Sequence, residues 1–443
     1  MINSARQAAF SALVRVEENA SYSNITLDSI LSESSLSQRD KSFASGLFYG
    51  VIEKKLLLDY NIAVNSDRPL SKIDTRALVI LRMGMYQLFF MKSVPVSAAV
   101  NESVELCKSS RLNHAAGFVN GVLRVAAKNS ELRLPDAKKS KNKYYSVKYS
   151  CPEEIIKLWR KSYGDENTLG ILDSLDGRPP LCIRVNTLKT TAKELKASLE
   201  SSGVSAKYSD KLDDCLILGN TGAIERLEQY EKGYFHVQDE ASQLCCKLLS
   251  PEENDVLLDV CSAPGGKSFT LAQLMKNKGK IISCDIYSSR LGLVESGAKR
   301  LSVDIISTME ADAAELTLDI KADRVLCDVP CSGLGIIRRK PELRYKTDLG
   351  LGSLPDIQYR ILCRASEYVK SGGVLVYSTC TLNPEENNLN AERFLSEHED
   401  FIPLKIDLPD NIKRGTDEQE NELTLFPNIN NTDGFFISLF KRK

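Results

Sequence analysis

The feature that most constrains the fold is a regular alternation of short apolar segments and helical segments in the C-terminal half of the chain. The apolar segments have the length of strands and span residues 256–260, 280–284, 305–309, 324–327 and 374–377. Parallel strands need crossover connections of about a dozen residues or more, usually helices. The alternation therefore predicts a doubly wound parallel sheet within residues 234–443, which binds ligands at the carboxyl ends of its strands.

The rest of the chain has two other patterns. Apolar residues recur at helical spacing, and the segments 37–40 and 71–74 resemble capping sequences, so residues 1–133 are predicted to form an all-helical bundle. Residues 134–148 are rich in lysine and lack apolar periodicity, which we interpret as a basic linker. Residues 149–233 combine helical patterns with strand-like segments and predict a small α+β domain.

The net charge of −1 conceals an asymmetry along the chain. Residues 1–150 contain 21 Lys and Arg against 13 Asp and Glu, whereas residues 151–443 contain 37 against 46. A basic N-terminal region indicates binding to a polyanion, although solubilising lysines would give the same pattern. A second basic segment, 338–346, combines five basic residues with Tyr345. We interpret it as a strip that holds phosphates and stacks a base, rather than as a solvated helix start.

Twelve cysteines raise the question of disulfides or metal binding. The chain opens MINSARQAAF, without a signal peptide, and its longest apolar stretch is broken by Arg82 and Gln87 and is shorter than the ~20 residues that span a bilayer. We therefore expect a cytoplasmic protein with reduced cysteines and no membrane segment. Because no Cys-x-x-Cys pair occurs, we expect no metal site either. Most of the cysteines are then buried small hydrophobic residues.

The loop after the first predicted strand reads Asp259-Val-Cys-Ser-Ala-Pro-Gly-Gly-Lys267 and is followed by a helical pattern. A P-loop is incomplete here because Cys261 stands where its first glycine belongs, and the G-x-G-x-x-G pattern of dinucleotide folds is absent. The remaining candidate is the fold of S-adenosylmethionine-dependent methyltransferases. In that fold Asp285, at the end of the second strand, would bind ribose, and Asp312, after the third, would bind adenine.

The fourth and fifth predicted strands each end near a cysteine, in Asp328-Val-Pro-Cys331 and in Ser378-Thr-Cys380. Enzymes that methylate amino groups carry prolines and an aromatic residue at the first place, so a thiol indicates different chemistry. Addition of a thiolate at carbon 6 of a pyrimidine makes carbon 5 nucleophilic. We expect Lys267 to lower the pKa of the attacking thiol. The alternative is that both cysteines are buried core residues.

Together these motifs resemble the Sun/Nop family of RNA cytosine-5 methyltransferases. The resemblance implies a multidomain chain with an all-α NusB-like RNA-binding bundle, a small α+β RNA-binding domain and a C-terminal α/β Rossmann-like methyltransferase domain. It implies methyl transfer from S-adenosylmethionine to carbon 5 of a specific cytosine in 16S ribosomal RNA through a covalent cysteine adduct. No obligate protein partner is implied, and we expect a monomer.

The resemblance also implies a role for individual residues. Cys380 would be the nucleophile at carbon 6, Cys331 would assist product release, and Asp328 would contact ring nitrogen 3. S-adenosylmethionine would be held by Asp285, Asp312, Asp328 and the loop residues Cys261, Ser262, Ala263, Pro264, Gly265, Gly266 and Lys267.

Two other functions remain open from the residues alone. The first is a non-catalytic RNA-binding ribosome assembly factor on a methyltransferase scaffold, and the second is a P-loop-like NTPase. Outside the motifs, we interpret Glu385-Glu386 as a charged helix start and residues 434–440 as a terminal strand.

Overall fold

The computed structural model describes residues 4–19, 23–129, 131–177, 179–346, 352–416 and 418–443, so the first three residues of the opening sequence lie outside it. The chain divides into two units, one of Met1–Asp176 with Lys340–Thr347 and one of Gly177–Arg339 with Asp348–Lys443. Within the described ranges, no helix is long and apolar enough to cross a membrane.

The first unit is built of helices, as the periodicity predicts. They are α1 Ala5–Asn19, α2 Ser23–Ser32, α3 Gln38–Glu53, α4 Lys55–Val64, α5 Thr75–Phe90, α6 Val96–Ser109, α7 Asn113–Ala126, α8 Lys141–Tyr149 and α9 Glu153–Asp173. Ser37 caps α3 by accepting from the backbone N–H of Asp40, and Asp74 caps α5. Leu47, Phe48 and Ile80 lie fully buried in the core between the helices.

The interpretation of residues 134–148 as a linker is wrong for its second half, which forms most of α8. The Ser140 side chain caps this helix by accepting from the backbone N–H of Lys143, and Val147 and Tyr149 are buried. The Tyr149 hydroxyl donates to Asp173 Oδ1 of α9 at 2.5 Å. A buried face this small in a nine-residue helix gives no apolar periodicity that a sequence pattern could show.

The interpretation of residues 338–346 as a strip that holds phosphates and stacks a base is wrong for Arg339 and Arg344. Residues 341–345 form a short 3-10 helix in the first unit, where Arg344 is only 2% exposed. Its guanidinium donates to the backbone carbonyls of Glu53, Tyr149 and Ser150 at 3.3–3.4 Å. A guanidinium held this way is not available to a phosphate.

Arg339, at the start of the same segment, lies in the second unit and is also occupied. Its guanidinium pairs with Asp433 at 2.5 Å and with Asp239 at 2.8 Å. Lys340 and Lys346 remain exposed, so only part of the segment can reach solvent.

The second unit begins with a small antiparallel sheet. Its elements are β1 Leu181–Val185, α10 Ala192–Ser201, β2 Ser205–Tyr208, β3 Cys215–Gly219, α11 Glu228–Glu231 and β4 Phe235–Val237. The strand order is β2-β3-β1-β4. Thr191 and Glu194 form a capping box that starts α10. This is the mixed α+β pattern that the sequence predicts, with β2 and β4 added.

The larger sheet confirms the doubly wound prediction. Its elements are α12 Glu240–Leu249, β5 Val256–Asp259, α13 Gly266–Leu274, β6 Lys280–Asp285, α14 Ser288–Leu301, β7 Ile306–Glu310, β8 Ala322–Asp328, α15 Leu354–Ser366, β9 Val369–Thr379, α16 Asn388–Glu397, β10 Phe401–Pro403, β11 Glu422–Leu425, α17 Pro427–Asn430 and β12 Phe435–Arg442. The order is β10-β12-β9-β8-β5-β6-β7, with β11 beside β12.

The register of this sheet places the functional motifs at one edge. Strands β5 to β9 run parallel, and Asp328 at the end of β8 is paired with Ser378 near the end of β9. Apolar side chains such as Leu257 and Leu258 alternate between the buried layers on the two faces. Burial on both faces fixes the register, since a slip by one residue would exchange the faces.

Candidate active site

The loop between β5 and α13 has a conformation that requires glycine. Gly265 has φ 105°, and a Cβ atom there would lie 2.4 Å from the Phe269 ring. The Gly265 N–H donates to the Ser262 carbonyl at 2.8 Å, and the Ser262 N–H donates to the Cys284 carbonyl at 2.7 Å. The loop is thus held against β6. Because residue 265 is a glycine, the turn can adopt a positive φ and pack closely against the Phe269 ring.

Asp259, at the end of β5, lies beneath this loop. Its Oδ2 accepts from Ser268 Oγ at 2.6 Å, and Ser268 Oγ is 2.8 Å from Ser283 Oγ. Burial raises the pKa of Asp259 to about 7, and the charge of Asp328 adds to the increase, whereas the Ser268 hydrogen bond and Lys267 oppose it. The carboxyl is therefore partly neutral near neutral pH.

The same edge has polar groups that suit S-adenosylmethionine. Asp259 Oδ1 and Ser262 Oγ are buried and have no hydrogen-bond partner among the residues that the structure describes. Asp285 is 4% exposed and accepts from the backbone N–H of Ala263 at 3.3 Å. Arg290 pairs with Asp285 at 3.3 Å. The loop and Asp285 therefore meet, and unpartnered buried groups fit a polar ligand between them.

Asp312 behaves differently from the other predicted donor-site residues. It is exposed, and its Oδ1 accepts from the backbone N–H of Ala314 at 2.9 Å. Within the described part of the chain, no hydrogen bond joins its side chain to another predicted site residue. Its assignment to adenine binding stays a prediction.

Lys267 pairs with a carboxylate rather than with a thiol. Its Nζ lies 2.7 Å from Asp328 Oδ2, and Asp328 Oδ1 accepts from Ser378 Oγ at 2.8 Å. Burial would lower the pKa of Lys267, but the charge of Asp328 outweighs it and raises that pKa. The expectation that Lys267 lowers a thiol pKa is therefore not what its contacts support. The ammonium balances Asp328, and it also lies 5.2 Å from the Phe435 ring centroid.

The two cysteines at the strand ends are direct neighbours. Cys331 Sγ lies 3.2 Å from Cys380 Sγ, and both side chains are partly exposed. The pKa of Cys331 lies well above its usual value because of the hydrogen bond with Cys380, burial and the negative charge of Glu386. A neutral Cys331 thiol in a hydrogen bond with Cys380, in which either sulfur can donate, fits these contacts.

Glu386 is the residue that sequence reasoning missed. Glu385 and Glu386 lie in the short 3-10 helix Pro384–Glu386, just before α16, as the interpretation of the pair as a charged helix start predicts. Glu386 is nevertheless fully buried, whereas Glu385 is exposed. Its carboxylate accepts from the backbone N–H of Ser332 at 2.9 Å, from Ser332 Oγ at 2.5 Å, from Gln358 Nε2 at 2.8 Å and from Asn383 Nδ2 at 2.9 Å.

A sequence signal for this network exists. Asn383, Glu386, Asn387 and Asn390 recur at helical spacing immediately after the second cysteine motif, and all four are buried. A polar stripe at the spacing usual for an apolar one indicates a buried hydrogen-bond network.

The chain after each cysteine motif is held by a close backbone contact. The Gly335 N–H donates to the Cys380 carbonyl at 3.0 Å, and the Gly434 N–H donates to the Gly335 carbonyl at 2.9 Å. A Cβ atom at Gly335 would lie 2.0 Å from the Gly434 carbonyl oxygen and 2.8 Å from that of Cys380. Glycine at position 335 thus permits the approach that fixes the Cys380 loop.

The site combines a doubly wound sheet, a glycine loop after β5, an acidic residue at the end of β6 and polar side chains at the carboxyl ends of the strands. These features define the class of S-adenosylmethionine-dependent methyltransferases. Three family models agree with this class. Residues 246–441 match the model described as 16S rRNA methyltransferase RsmB/F, residues 3–128 match the NusB family, and residues 151–225 match the ferredoxin-like domain of RsmF/B-like methyltransferases.

The chain belongs to the ribosomal RNA small subunit methyltransferase B family. It is 35% identical to the probable ribosomal RNA small subunit methyltransferase B of Bacillus subtilis, over 99% of both chains. It is 29% identical to the ribosomal RNA small subunit methyltransferase B of Escherichia fergusonii, over 97% of this chain and 96% of the relative. The N-terminal bundle is accordingly NusB-like, and the small sheet belongs to a ferredoxin-like domain.

Solved structures show the same architecture. The crystal structure of PH0851 superposes with a TM-score of 0.83, at 25% identity and with 98% of both chains covered. The structure of NSun6 from Pyrococcus horikoshii with SFG superposes with a TM-score of 0.60, at 25% identity, over 66% of this chain and 98% of that one.

Proposed function

We propose that the protein transfers a methyl group from S-adenosylmethionine to carbon 5 of a specific cytosine in 16S ribosomal RNA. The observation that carries this proposal is the pair of thiols, Cys331 and Cys380, 3.2 Å apart at the edge of the sheet. A methyltransferase that acts on an amino group has no use for two thiols beside its donor site. An enzyme that methylates carbon 5 of a pyrimidine needs a thiol, because this carbon must be activated by covalent addition to the ring.

In this reaction Cys380 is the nucleophile. Its thiolate adds to carbon 6 of the cytosine, and the electrons of the 5,6 double bond move to carbon 5. Carbon 5 then forms the bond to the methyl group while the bond between that methyl group and the donor's sulfur breaks, which would leave S-adenosylhomocysteine. Bound S-adenosylmethionine would supply that methyl group on a positively charged sulfur. Loss of the carbon-5 proton to a base then restores the double bond and expels Cys380 as a thiolate, in a release that Cys331 assists.

Asp328 and Lys267 provide the electrostatic part of the mechanism. Asp328 contacts ring nitrogen 3 and borders the donor site, and the Lys267 ammonium that it holds offsets the negative charge that develops in the ring. Its carboxylate is oriented by the Lys267 ammonium at 2.7 Å and by the Ser378 hydroxyl at 2.8 Å. The donor itself would be held by Asp285, Asp312, Asp328 and the loop residues Cys261, Ser262, Ala263, Pro264, Gly265, Gly266 and Lys267.

RNA recognition falls to the other parts of the chain. We assign RNA binding to the NusB-like region 1–133, the basic segment 134–148 and the small domain 149–233, and catalysis to 234–443. The first unit supports this with 27 Lys and Arg against 20 Asp and Glu. The proposal includes a cytoplasmic monomer without an obligate protein partner.

The experiment uses 16S RNA from a strain that lacks this gene, incubated with the purified protein and S-adenosylmethionine. Bisulfite sequencing is expected to show one new 5-methylcytosine with the wild-type protein and none with Cys380→Ala. Cys363→Ala, at a partly exposed cysteine outside the site, is the matched control and retains activity. Full methylation by Cys380→Ala would exclude the mechanism. Absence of S-adenosylmethionine binding in calorimetry would favour the non-catalytic assembly factor instead.

A further inference from the structure

We propose that Glu386 is a positioning residue that distinguishes the two thiols, because its buried negative charge keeps Cys331 neutral beside Cys380. This inference rests on the proposed function, in which only one of the two cysteines attacks carbon 6. Two equally ionised thiols 3.2 Å apart would compete for that carbon.

The carboxylate of Glu386 is held by four hydrogen-bond donors. Each oxygen accepts two hydrogen bonds, Oε1 from Ser332 Oγ and Asn383 Nδ2, and Oε2 from the Ser332 backbone N–H and Gln358 Nε2. These four donors satisfy both oxygens of the carboxylate. Over the described residues, no Lys, Arg or His lies within ion-pair distance of Glu386, so its charge is not cancelled locally.

The same contacts connect this charge to Cys331. Ser332 follows Cys331 in the chain, and both its N–H and its hydroxyl are bound to Glu386. Gln358 Nε2 also donates to the carbonyl of Pro330 at 2.9 Å, so the network holds the residues on both sides of the cysteine. A negative charge bound to the residue next to Cys331 in a buried site opposes the formation of a second one.

Among the described residues, Cys380, from the loop after β9, and Tyr377, from β9 itself, also interact electrostatically with Cys331. Burial raises the pKa of Tyr377 well above its usual value, and its hydroxyl donates to the Glu386 carbonyl at 2.6 Å. Tyr377 is therefore neutral at physiological pH. The pKa of Cys331 lies well above its usual value because of the hydrogen bond with Cys380 and burial, and the charge of Glu386 adds to the increase.

The test is the pH dependence of Cys331 alkylation by iodoacetamide in the full-length protein, with each cysteine followed by peptide mass spectrometry. At a fixed pH below the inflection, Glu386→Gln is expected to alkylate Cys331 about three- to tenfold faster than the wild type, because more thiolate is present. Glu385→Gln removes an exposed charge one residue away and is expected to change nothing. Calorimetric binding of S-adenosylmethionine shows that each variant is folded.

An unchanged Cys331 profile in folded Glu386→Gln would overturn the proposal. If that variant does not fold, Ser332→Ala still tests the proposal, since it removes one hydrogen-bond donor to Glu386 and keeps the charge of Glu386. Alkylation of Cys331 in Ser332→Ala is expected to stay as slow as in the wild type, and acceleration there would show that loop geometry, not charge, protects the thiol. Because alkylation needs neither RNA nor turnover, failure of this inference is distinguishable from failure of the proposed function.

Discussion

At the scale of single residues, Asp259 is a buried carboxyl group whose state depends on pH within the physiological range. It is 1% exposed, lies between the charge of Asp328 and the Ser268 hydroxyl, and has a pKa raised to about 7, chiefly by burial. Because the charge of Asp259 changes near neutral pH, the stability of the larger sheet is expected to depend on pH.

The folded-state pKa of Asp259, about 7, exceeds its ordinary value of 3.8, so its stabilising contribution is complete below pH 3.8 and is lost as pH rises through 7. Between about pH 5 and about pH 8 the wild type is expected to lose about 2–3 kcal/mol of unfolding free energy relative to Asp259→Asn. Urea unfolding of both proteins measures this. A difference that stays constant over that range would contradict the assignment.

The residue scale also shows how far a sequence predicts a site. Cys331 and Cys380 could be identified because each follows a strand of a parallel sheet, and the register of β8 and β9 brings such positions together. The pair Glu385-Glu386 taken by itself looks like a helix start, so Glu386 is recognisable only from the polar stripe that it forms with Asn383, Asn387 and Asn390. The ion pair of Lys267 with Asp328 joins residues 61 positions apart and depends on a packing that local patterns do not contain.

At the scale of elements, close backbone contacts also hold the loops that carry the cysteines, in addition to the side-chain network of Glu386. Gly335 lies between the Cys380 carbonyl and the Gly434 backbone, which leads into β12. Three segments from distant parts of the sequence meet at this point. The position of Cys380 therefore depends on the absence of a Cβ atom at residue 335.

Gly335→Ala is expected to destabilise the protein by about 1–3 kcal/mol, as an overpacked core position does, and to reduce methyl transfer because the Cys380 loop must move. Gly292→Ala is the matched control. Gly292 lies on the exposed face of α14, and a Cβ atom there would have nothing within 4 Å. This change is therefore expected to be neutral or slightly stabilising. Thermal unfolding and methyl-transfer rates measure both. Wild-type rate and stability in Gly335→Ala would contradict this account of the loop.

Strands and helices with a strong apolar sequence pattern were predictable, whereas those with a weak apolar pattern were not. The buried strands β5, β6 and β8 read as continuous apolar segments, which is typical of a sheet covered on both faces. Strand β2 buries only Ala206, and β4 spans three residues, so neither gives a recognisable alternation. Helix α8 was missed for the same reason, since few of its side chains are buried.

At the scale of the whole molecule, positive charge is concentrated toward the N-terminal part of the sequence. Lys138, Lys139, Lys141 and Lys143 are exposed around the start of α8. The arginines of 338–346 could not be distinguished from RNA-binding residues by composition, because only the structure shows that Arg339 and Arg344 are already bound within the protein. The exposed lysines thus become the better candidates for binding phosphates.

Replacing these four lysines by glutamine is expected to weaken binding to 16S RNA and to reduce the slope of log affinity against log salt by about 3–4, since each phosphate that is no longer neutralised lowers the slope by roughly one. Lys276→Gln with Lys278→Gln, two exposed lysines paired with Glu253, is the control and leaves the slope unchanged. Filter binding over a salt series measures it. An unaltered slope in the fourfold variant would assign RNA binding to another surface.

The central claim is that Cys380 forms a covalent bond to the RNA and that Cys331 is needed for its release. The most direct measurement is denaturing gel electrophoresis of Cys331→Ala after incubation with 16S RNA and S-adenosylmethionine. The account predicts a protein–RNA adduct that survives denaturation in Cys331→Ala and is absent from the double variant Cys331→Ala/Cys380→Ala. No adduct in the single variant, or an equal amount in the double variant, would contradict it.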